Sequence, residues 1–191
     1  MMRLTRPLLL ASGSPRRQYL LKHAGFEFTV HVPQVSEDFA ESMPAETVPR
    51  FLAERKAEAL RPSITNEIII AADTVVIIDG RVLNKPANAE DAFAMLSMLN
   101  GRTHRVVTAV CLMDKIHQLT FADRTRVTFA RLTDEELKFY IERDKPFDKA
   151  GGYGAQDWIG MIGISRIEGS YFTVMGMPMH RLYQELKKFD W

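Results

Sequence analysis

Ile68-Ile69-Ile70-Ala71-Ala72-Asp73-Thr74-Val75-Val76-Ile77-Ile78 is the most strand-like stretch of the chain, and it carries one charged group near its middle. β-branched residues dominate it, as they do where a strand meets a packed surface. A carboxylate in such company is costly unless it is paired or bound to a metal. None of the usual turn residues flanks Asp73 to make it a structural cap, so the functional reading is preferred. Asp79-Gly80 then marks a hairpin turn, and Arg81–Leu83 leads back to Asn84-Lys85-Pro86.

Upstream, Leu8-Leu9-Leu10 reads as a short buried strand that breaks into Ala11-Ser12-Gly13-Ser14. Ser14 is placed to cap a helix whose first residue is Pro15, where a missing N–H costs nothing. Arg16 and Arg17 then put two cations in the first turn, where the helix dipole favours anions. A bound anion would account for them, because free N–H groups at a helix start attract negative charge. Solvated arginines on a surface helix remain the plain alternative. The helix is expected to stop near Ala24-Gly25. Glu27–Val32 alternates like a half-buried strand, and Gln34–Thr47 is a polar loop carrying Glu37, Asp38, Glu41 and Glu46. Such acids are ordinarily just solvated. A second helix is expected over Val48–Leu60, with Lys56 one turn after Leu52. That spacing puts Lys56 beside the buried stripe, where a lysine can also simply snorkel.

Downstream, Ala89–Leu99 predicts a third helix that ends at Asn100-Gly101. Thr103–Met113 and Gln118–Ala130 predict two long strands around Asp114-Lys115. Thr133-Asp134-Glu135-Glu136 is a capping box that opens a fourth helix. Asp148-Lys149-Ala150-Gly151-Gly152-Tyr153-Gly154-Ala155-Gln156 clusters glycines, for a tight turn or for close approach to a ligand. Gly160–Ile167 and Tyr171–Met175 read as two apolar strands, and Pro178 starts a terminal helix. Helices and strands alternate early, with a hairpin-rich middle, so the class is mixed α/β.

At 191 residues, 46% hydrophobic and 26% charged, the chain is long enough for a real core. A net charge of +1 gives no broad basic field for nucleic acid or an anionic membrane. The single cysteine, Cys111, rules out a disulfide within the chain and suits a reducing, cytoplasmic setting. No apolar run nears the roughly 18 to 20 residues that span a bilayer. Arg3 and Arg6 precede an apolar run too short for a secretory signal. The five histidines lack the spacing of a zinc site.

The residues that resist a structural explanation are the cations Arg16, Arg17, Lys56 and Lys85 and the acids Glu37 and Asp73. Four cations suit a polyphosphate. Two acids suit a hard divalent ion, Mg²⁺ or Mn²⁺, that bridges phosphates. Together they describe metal-assisted attack of water on a phosphoanhydride. The P-loop signature and the GxGxxG turn are both missing.

These residues stand in motifs that resemble the Maf family of nucleotide pyrophosphatases along nearly the whole chain. They are Ala11-Ser12-Gly13-Ser14-Pro15-Arg16-Arg17, Ser36-Glu37-Asp38, Leu52-Ala53-Glu54-Arg55-Lys56-Ala57, Ala72-Asp73-Thr74 and Asn84-Lys85-Pro86. His104-Arg105-Val106-Val107-Thr108, the glycine segment ending at Gln156, Ile167-Glu168-Gly169 and Gly176-Met177-Pro178 follow in the family's order. The resemblance implies one domain over 1–191, with an elongated, two-lobed mixed sheet, flanking helices and a central cleft, related to the inosine triphosphatases. It implies a house-cleaning hydrolase that splits a nucleoside triphosphate into monophosphate and pyrophosphate.

Carried over by position, Asp73 accepts the proton of water and contacts a divalent metal, with Glu37 a second metal-side acid. Ser12, Arg16, Lys56 and Lys85 bind phosphates. Arg17, Thr74 and Gln156 govern substrate choice. Tyr153-Gly154-Ala155-Gln156 looks like the dTTP/UTP branch, with Gln156 reading a uracil or thymine edge. The 7-methyl-GTP branch and a nucleotide-binding regulator of septum formation are the alternatives. Ser170 stands where the family commonly has Asp, and Met177 where it usually has Leu. The expected partner is a nucleoside triphosphate, with a second copy of the chain allowed.

Overall fold

The strand around Asp73 forms as its composition dictates. In the computed structural model, which describes residues 5–189, β3 (Ile68–Ile78) is buried along its length except at Thr74, which is half-buried. Arg3 lies outside the described residues. A strand covered on both faces needs neighbours on both edges, and β3 has them. It runs parallel to β1 (Leu8–Leu10), with Leu8 opposite Ile68 and Leu10 opposite Ile70. β1 in turn pairs in parallel with β2 (Phe28–Val30). On the far half of β3, Val76 faces Leu83 and Ile78 faces Arg81 in an antiparallel pair with β4 (Arg81–Leu83). The turn between them has positive φ at both Asp79 (50°) and Gly80 (76°), the geometry that Asp-Gly supplies at low cost.

β5 (Thr103–Met113), β6 (Gln118–Phe129) and β7 (Ile164–Glu168) complete the sheet, in the order β2-β1-β3-β5-β6-β7. It is a mixed sheet of seven strands among the described residues, accompanied by helices, as the α/β reading expects.

The chain divides into two compact units. Among the described residues, the first holds 5–73, 108–123 and 176–189; the second holds 74–107 and 124–175. Strands β3, β5 and β6 contribute residues to both. Each unit has its own apolar core. In the first, Leu9, Ile69, Ala71, Ala109 and Cys111 pack on Ala53, Ala57 and Leu60 of α2 (Val48–Leu60). Burial pushes the Cys111 thiol up to about 11, so it stays a protonated core side chain. In the second, Val76, Ile78, Val127 and Phe129 pack on α3 (Ala89–Leu99) and α4 (Asp134–Asp144). Asn88 caps α3 through Asp91 N–H at 2.9 Å, and the Thr133–Glu136 capping box opens α4.

α1 (Pro15–His23) starts at Pro15 as expected, but the Ser14 side chain makes no cap bond. Its backbone N–H instead donates to Ser12 Oγ, 3.3 Å away. Two strand expectations are corrected. Gly160–Gly163 lies in α5 (Trp158–Gly163), with β7 beginning only at Ile164, and Tyr171–Val174 forms the short α6. In α5 the buried residues are Ile159 and Gly163, four apart, while Met161 and Ile162 face solvent. That is a helical period within a run too short and too apolar to reveal it. A side chain at Gly160 would lie 2.0 Å from the Ala155 carbonyl oxygen, so only glycine permits this close turn. In α6 only Thr173 is buried, and Met175 N–H closes a turn on the Tyr171 carbonyl. The terminal α7 (Met179–Phe189) buries Leu182 and Leu186.

Candidate active site

Strand periodicity sets the position of Asp73. Side chains on β3 alternate, and Ile69 and Ala71 belong to the core that packs on α2. Asp73, two residues further on, falls on that same face. On α2, Ala53, Ala57 and Leu60 form the packed stripe, and Lys56 is three residues after Ala53. The two periods bring the pair together: Lys56 Nζ donates to Asp73 Oδ1 at 2.6 Å. Both side chains are only 12% exposed. The ammonium also meets Glu37 Oε1 at 2.7 Å, from a side chain 48% exposed. Lys56 therefore does not snorkel into solvent; it holds two carboxylates at one point.

Glu37 arrives there because its loop is tied to α2. Arg55 Nη1 donates to the carbonyls of Ser36 and Asp38, each at 2.8 Å, and its guanidinium stacks 4.3 Å from the Phe51 ring centre. Ser36 Oγ donates to Asp38 Oδ2 at 2.6 Å and accepts from the Asp38 N–H at 3.0 Å. These bonds present the residue between Ser36 and Asp38 to Lys56. Reading the sequence residue by residue gave Arg55 no role. Its signal was its place next to Lys56 in a helix facing an acidic loop.

The Ser12–Arg17 segment belongs to the same unit. The Arg17 side chain is buried: Nε donates to the Gly176 carbonyl at 2.9 Å and Nη1 to Ser12 Oγ at 3.1 Å. Burial lowers the guanidinium from its ordinary value, with Asp73 pulling it back up, Arg16 lowering it and Glu37 raising it. Arg17 thus feels both acids of the Lys56 cluster. Arg16, by contrast, is half-buried. The two adjacent arginines are held differently: Arg17 is locked into backbone and hydroxyl acceptors, and Arg16 is more open.

The remaining expected residues lie in the second unit. Thr74 follows Asp73 directly on β3, and Lys85 is exposed in the segment after β4. That segment is fixed by the glycine cluster, since the Asn84 carbonyl accepts from Gly151 N–H at 3.0 Å. Gly151 and Gly152 both have positive φ, and a side chain at Gly151 would strike Val76 at 2.9 Å. The cluster is therefore a tight packed turn, and it carries Gln156 at its end.

Gln156 Nε2 donates to Asp157 Oδ1 at 2.9 Å, and Gln156 Oε1 is buried with no partner among the described residues. The segment is pinned on either side. Tyr140 OH donates to Asp157 Oδ2 at 2.9 Å and accepts from Gly154 N–H at 3.1 Å. Tyr153 OH meets His104 Nε2 at 2.7 Å inside an aromatic group with Phe129. Burial lowers the His104 imidazole to about 4, so it is neutral at physiological pH. Asp157, Tyr140 and His104 were not singled out as site residues in the sequence.

Asp73 and Glu37, which meet at the Lys56 ammonium, are the first unit's candidates to hold a divalent ion. Among the described residues no group of three or more His, Cys, Asp or Glu side chains is arranged to hold a metal. The Asp73 and Glu37 carboxylates converge on one point and are hard oxygen donors, the set Mg²⁺ takes when phosphates and water fill its other positions.

The chain is 48% identical over 186 residues to the dTTP/UTP pyrophosphatase of Porphyromonas gingivalis, covering 95% of this chain and 94% of that one. It is 49% identical over 183 residues to the dTTP/UTP pyrophosphatase of Phocaeicola vulgatus, covering 95% of each. Among solved structures, a HAM1 protein from Coxiella burnetii matches with a TM-score of 0.46 at 15% identity, over 97% of both chains. The family model described as Maf-like protein matches residues 7–189, and the chain belongs to the Maf family.

Proposed function

We propose that this protein hydrolyses dTTP and UTP, and modified pyrimidine triphosphates of the same edge chemistry, to the monophosphate and pyrophosphate. The observation that carries the reading is the cluster of Lys56, Asp73 and Glu37 on the packed face of β3 and α2. The names of the relatives, at nearly half identity over almost the full chain, support the choice of substrate.

In this reaction water adds to the α-phosphorus, the bond from that phosphorus to the α–β bridging oxygen breaks so that pyrophosphate leaves with that oxygen, and the water proton passes to the Asp73 carboxylate. Lys56 holds that carboxylate in place by its 2.6 Å bond. Arg16, Lys85 and Ser12 take phosphate oxygens, and their fixed charge offsets the negative charge that builds on the leaving pyrophosphate. A divalent ion bound by Asp73 and Glu37 would supply further charge neutralisation for the phosphates. Arg17, Thr74 and Gln156 select the nucleotide, and Gln156 offers its unpartnered carbonyl to the base.

The test is a product analysis of the purified protein with Mg²⁺ and dTTP, UTP, CTP, ATP, GTP and 7-methyl-GTP. Equal amounts of pyrimidine monophosphate and pyrophosphate from dTTP and UTP are expected. Single phosphate as the product would contradict the mechanism, and a preference for 7-methyl-GTP would contradict the role given to Gln156.

A further inference from the structure

The Gln156 amide has two faces of opposite chemistry, and which way it points decides what it can read. An amide offers an acceptor oxygen and a donor nitrogen side by side. Uracil and thymine present N3–H, a donor, beside O4, an acceptor. Cytosine presents the reverse, an acceptor N3 beside the donor N4–H₂. An amide turned one way pairs twice with uracil. Turned by 180° about its last bond, the same amide pairs twice with cytosine. A freely turning glutamine therefore does not discriminate between them.

Here the amide is not free to turn. Asp157 Oδ1 lies 2.9 Å from Gln156 Nε2. An ionised carboxylate only accepts, so the oxygen of the amide cannot take the place of its nitrogen without setting two acceptors against each other. Asp157 is itself held: Tyr140 OH donates to its other oxygen at 2.9 Å, and Lys149 Nζ lies 3.5 Å from that oxygen. The two side chains pack close over Gly154, where an added Cβ would lie 2.5 Å from both Asp157 Oδ2 and Gln156 Nε2. The consequence is visible on the other half of the amide. Gln156 Oε1 is buried with no donor among the described residues, an expensive state for an acceptor that a ligand N–H would relieve.

We infer that Asp157 is the specificity-positioning residue of this enzyme: it fixes the Gln156 amide so that its oxygen faces the base, which admits bases with an N–H beside a carbonyl and rejects those with a bare ring nitrogen beside an amino group. The inference rests on the pyrimidine triphosphate reading above. It explains one pocket taking both uracil and thymine, since their N3–H and O4 are identical and the thymine methyl lies on another edge. It also divides the labour. Asp157 separates keto from amino bases, whereas guanine, which has the same N–H beside a carbonyl, has to be excluded by size.

The experiment compares kcat/KM for UTP and CTP in the wild type and in Asp157→Asn. Asparagine can either donate to or accept from Gln156, so the lock is lost and the amide can turn. The ratio of UTP to CTP is expected to fall by about tenfold or more, the scale of one well-made bidentate base contact. An unchanged ratio overturns the inference while leaving the pyrophosphatase reading intact. A wild type that releases no pyrophosphate from UTP overturns that reading instead. Should the variant not fold, wild-type kinetics with N3-methyl-UTP decide the matter. The methyl group removes the N–H that Gln156 Oε1 accepts, so cleavage is expected to drop by about tenfold or more. Cleavage equal to that of UTP overturns the inference.

Discussion

Lys56 stands between two carboxylates, at 2.6 Å from Asp73 and 2.7 Å from Glu37, and its removal leaves them facing each other. Asp73 is only 8% exposed, so an uncompensated charge there is costly. Lys56→Met is expected to destabilise the fold by about 3 kcal/mol, measured by urea unfolding at neutral pH. The same variant should recover part of that loss when Asp73 is also changed to Asn, because the charge to be compensated is then gone. Two equal, additive losses would show that the ion pair is not what holds these residues. At this scale the sequence was informative about Asp73, since one acid in an eleven-residue apolar strand has few explanations. Glu37 was much less visible. It is one of several acids in a polar loop, and its partner lies 19 positions away behind a helix that Arg55 ties to the loop. Asp157 could not be read at all, because its meaning depends on the direction of a neighbouring amide.

Elements with a long period or a chemical signature were legible, and short ones were not. α2 runs over Val48–Leu60 and α3 over Ala89–Leu99 as their apolar spacing indicates, and α4 begins at the Thr133 capping box its sequence advertises. α5 failed as a strand because an apolar run of a few residues carries no resolvable period, and because the deciding contact is a glycine against the Ala155 backbone. Gly160→Ala is therefore expected to cost about 3 kcal/mol, read as a lower midpoint of urea unfolding with the slope unchanged. The β5–β6 end shows another local device. The Asp114 side chain accepts from the N–H groups of Ile116 and His117, at 2.8 and 2.7 Å, and from Arg6 Nη1 at 2.9 Å. Burial works to raise its pKa, but these bonds outweigh it and hold the carboxyl well below the usual range. A depressed folded value means the stabilisation is complete above the unfolded carboxylate's value of about 3.9 and is lost as pH falls from there. Asp114→Asn should lower stability by about 1–2 kcal/mol at pH 7, with the difference from wild type shrinking below pH 4 in thermal melts.

For the molecule as a whole, acid is expected to act first through the second unit. His104 is buried with its imidazole held near 4, whereas an unfolded histidine titrates near 6.5. Between those values the unfolded chain binds the extra proton, so stability falls as pH drops from about 6.5 to about 4, by about 3 kcal/mol in total. His104→Gln should flatten that part of the pH–stability curve; an unchanged curve would mean His104 does not carry it. The mixed α/β class and the family were both legible in the sequence, because they depend on alternation and on motif order. The resemblance implied two lobes, but composition and periodicity mark no boundary between the two units, since strands β3, β5 and β6 each contribute residues to both. The central claim remains the chemical one, that the carboxylate on β3 takes the proton from water. Pyrophosphate release from UTP in saturating Mg²⁺ by wild type and Asp73→Asn, with folding checked by circular dichroism, tests it directly. A folded Asp73→Asn slowed by about 10²- to 10⁴-fold is expected, and a folded variant that releases pyrophosphate at the wild-type rate would contradict the account.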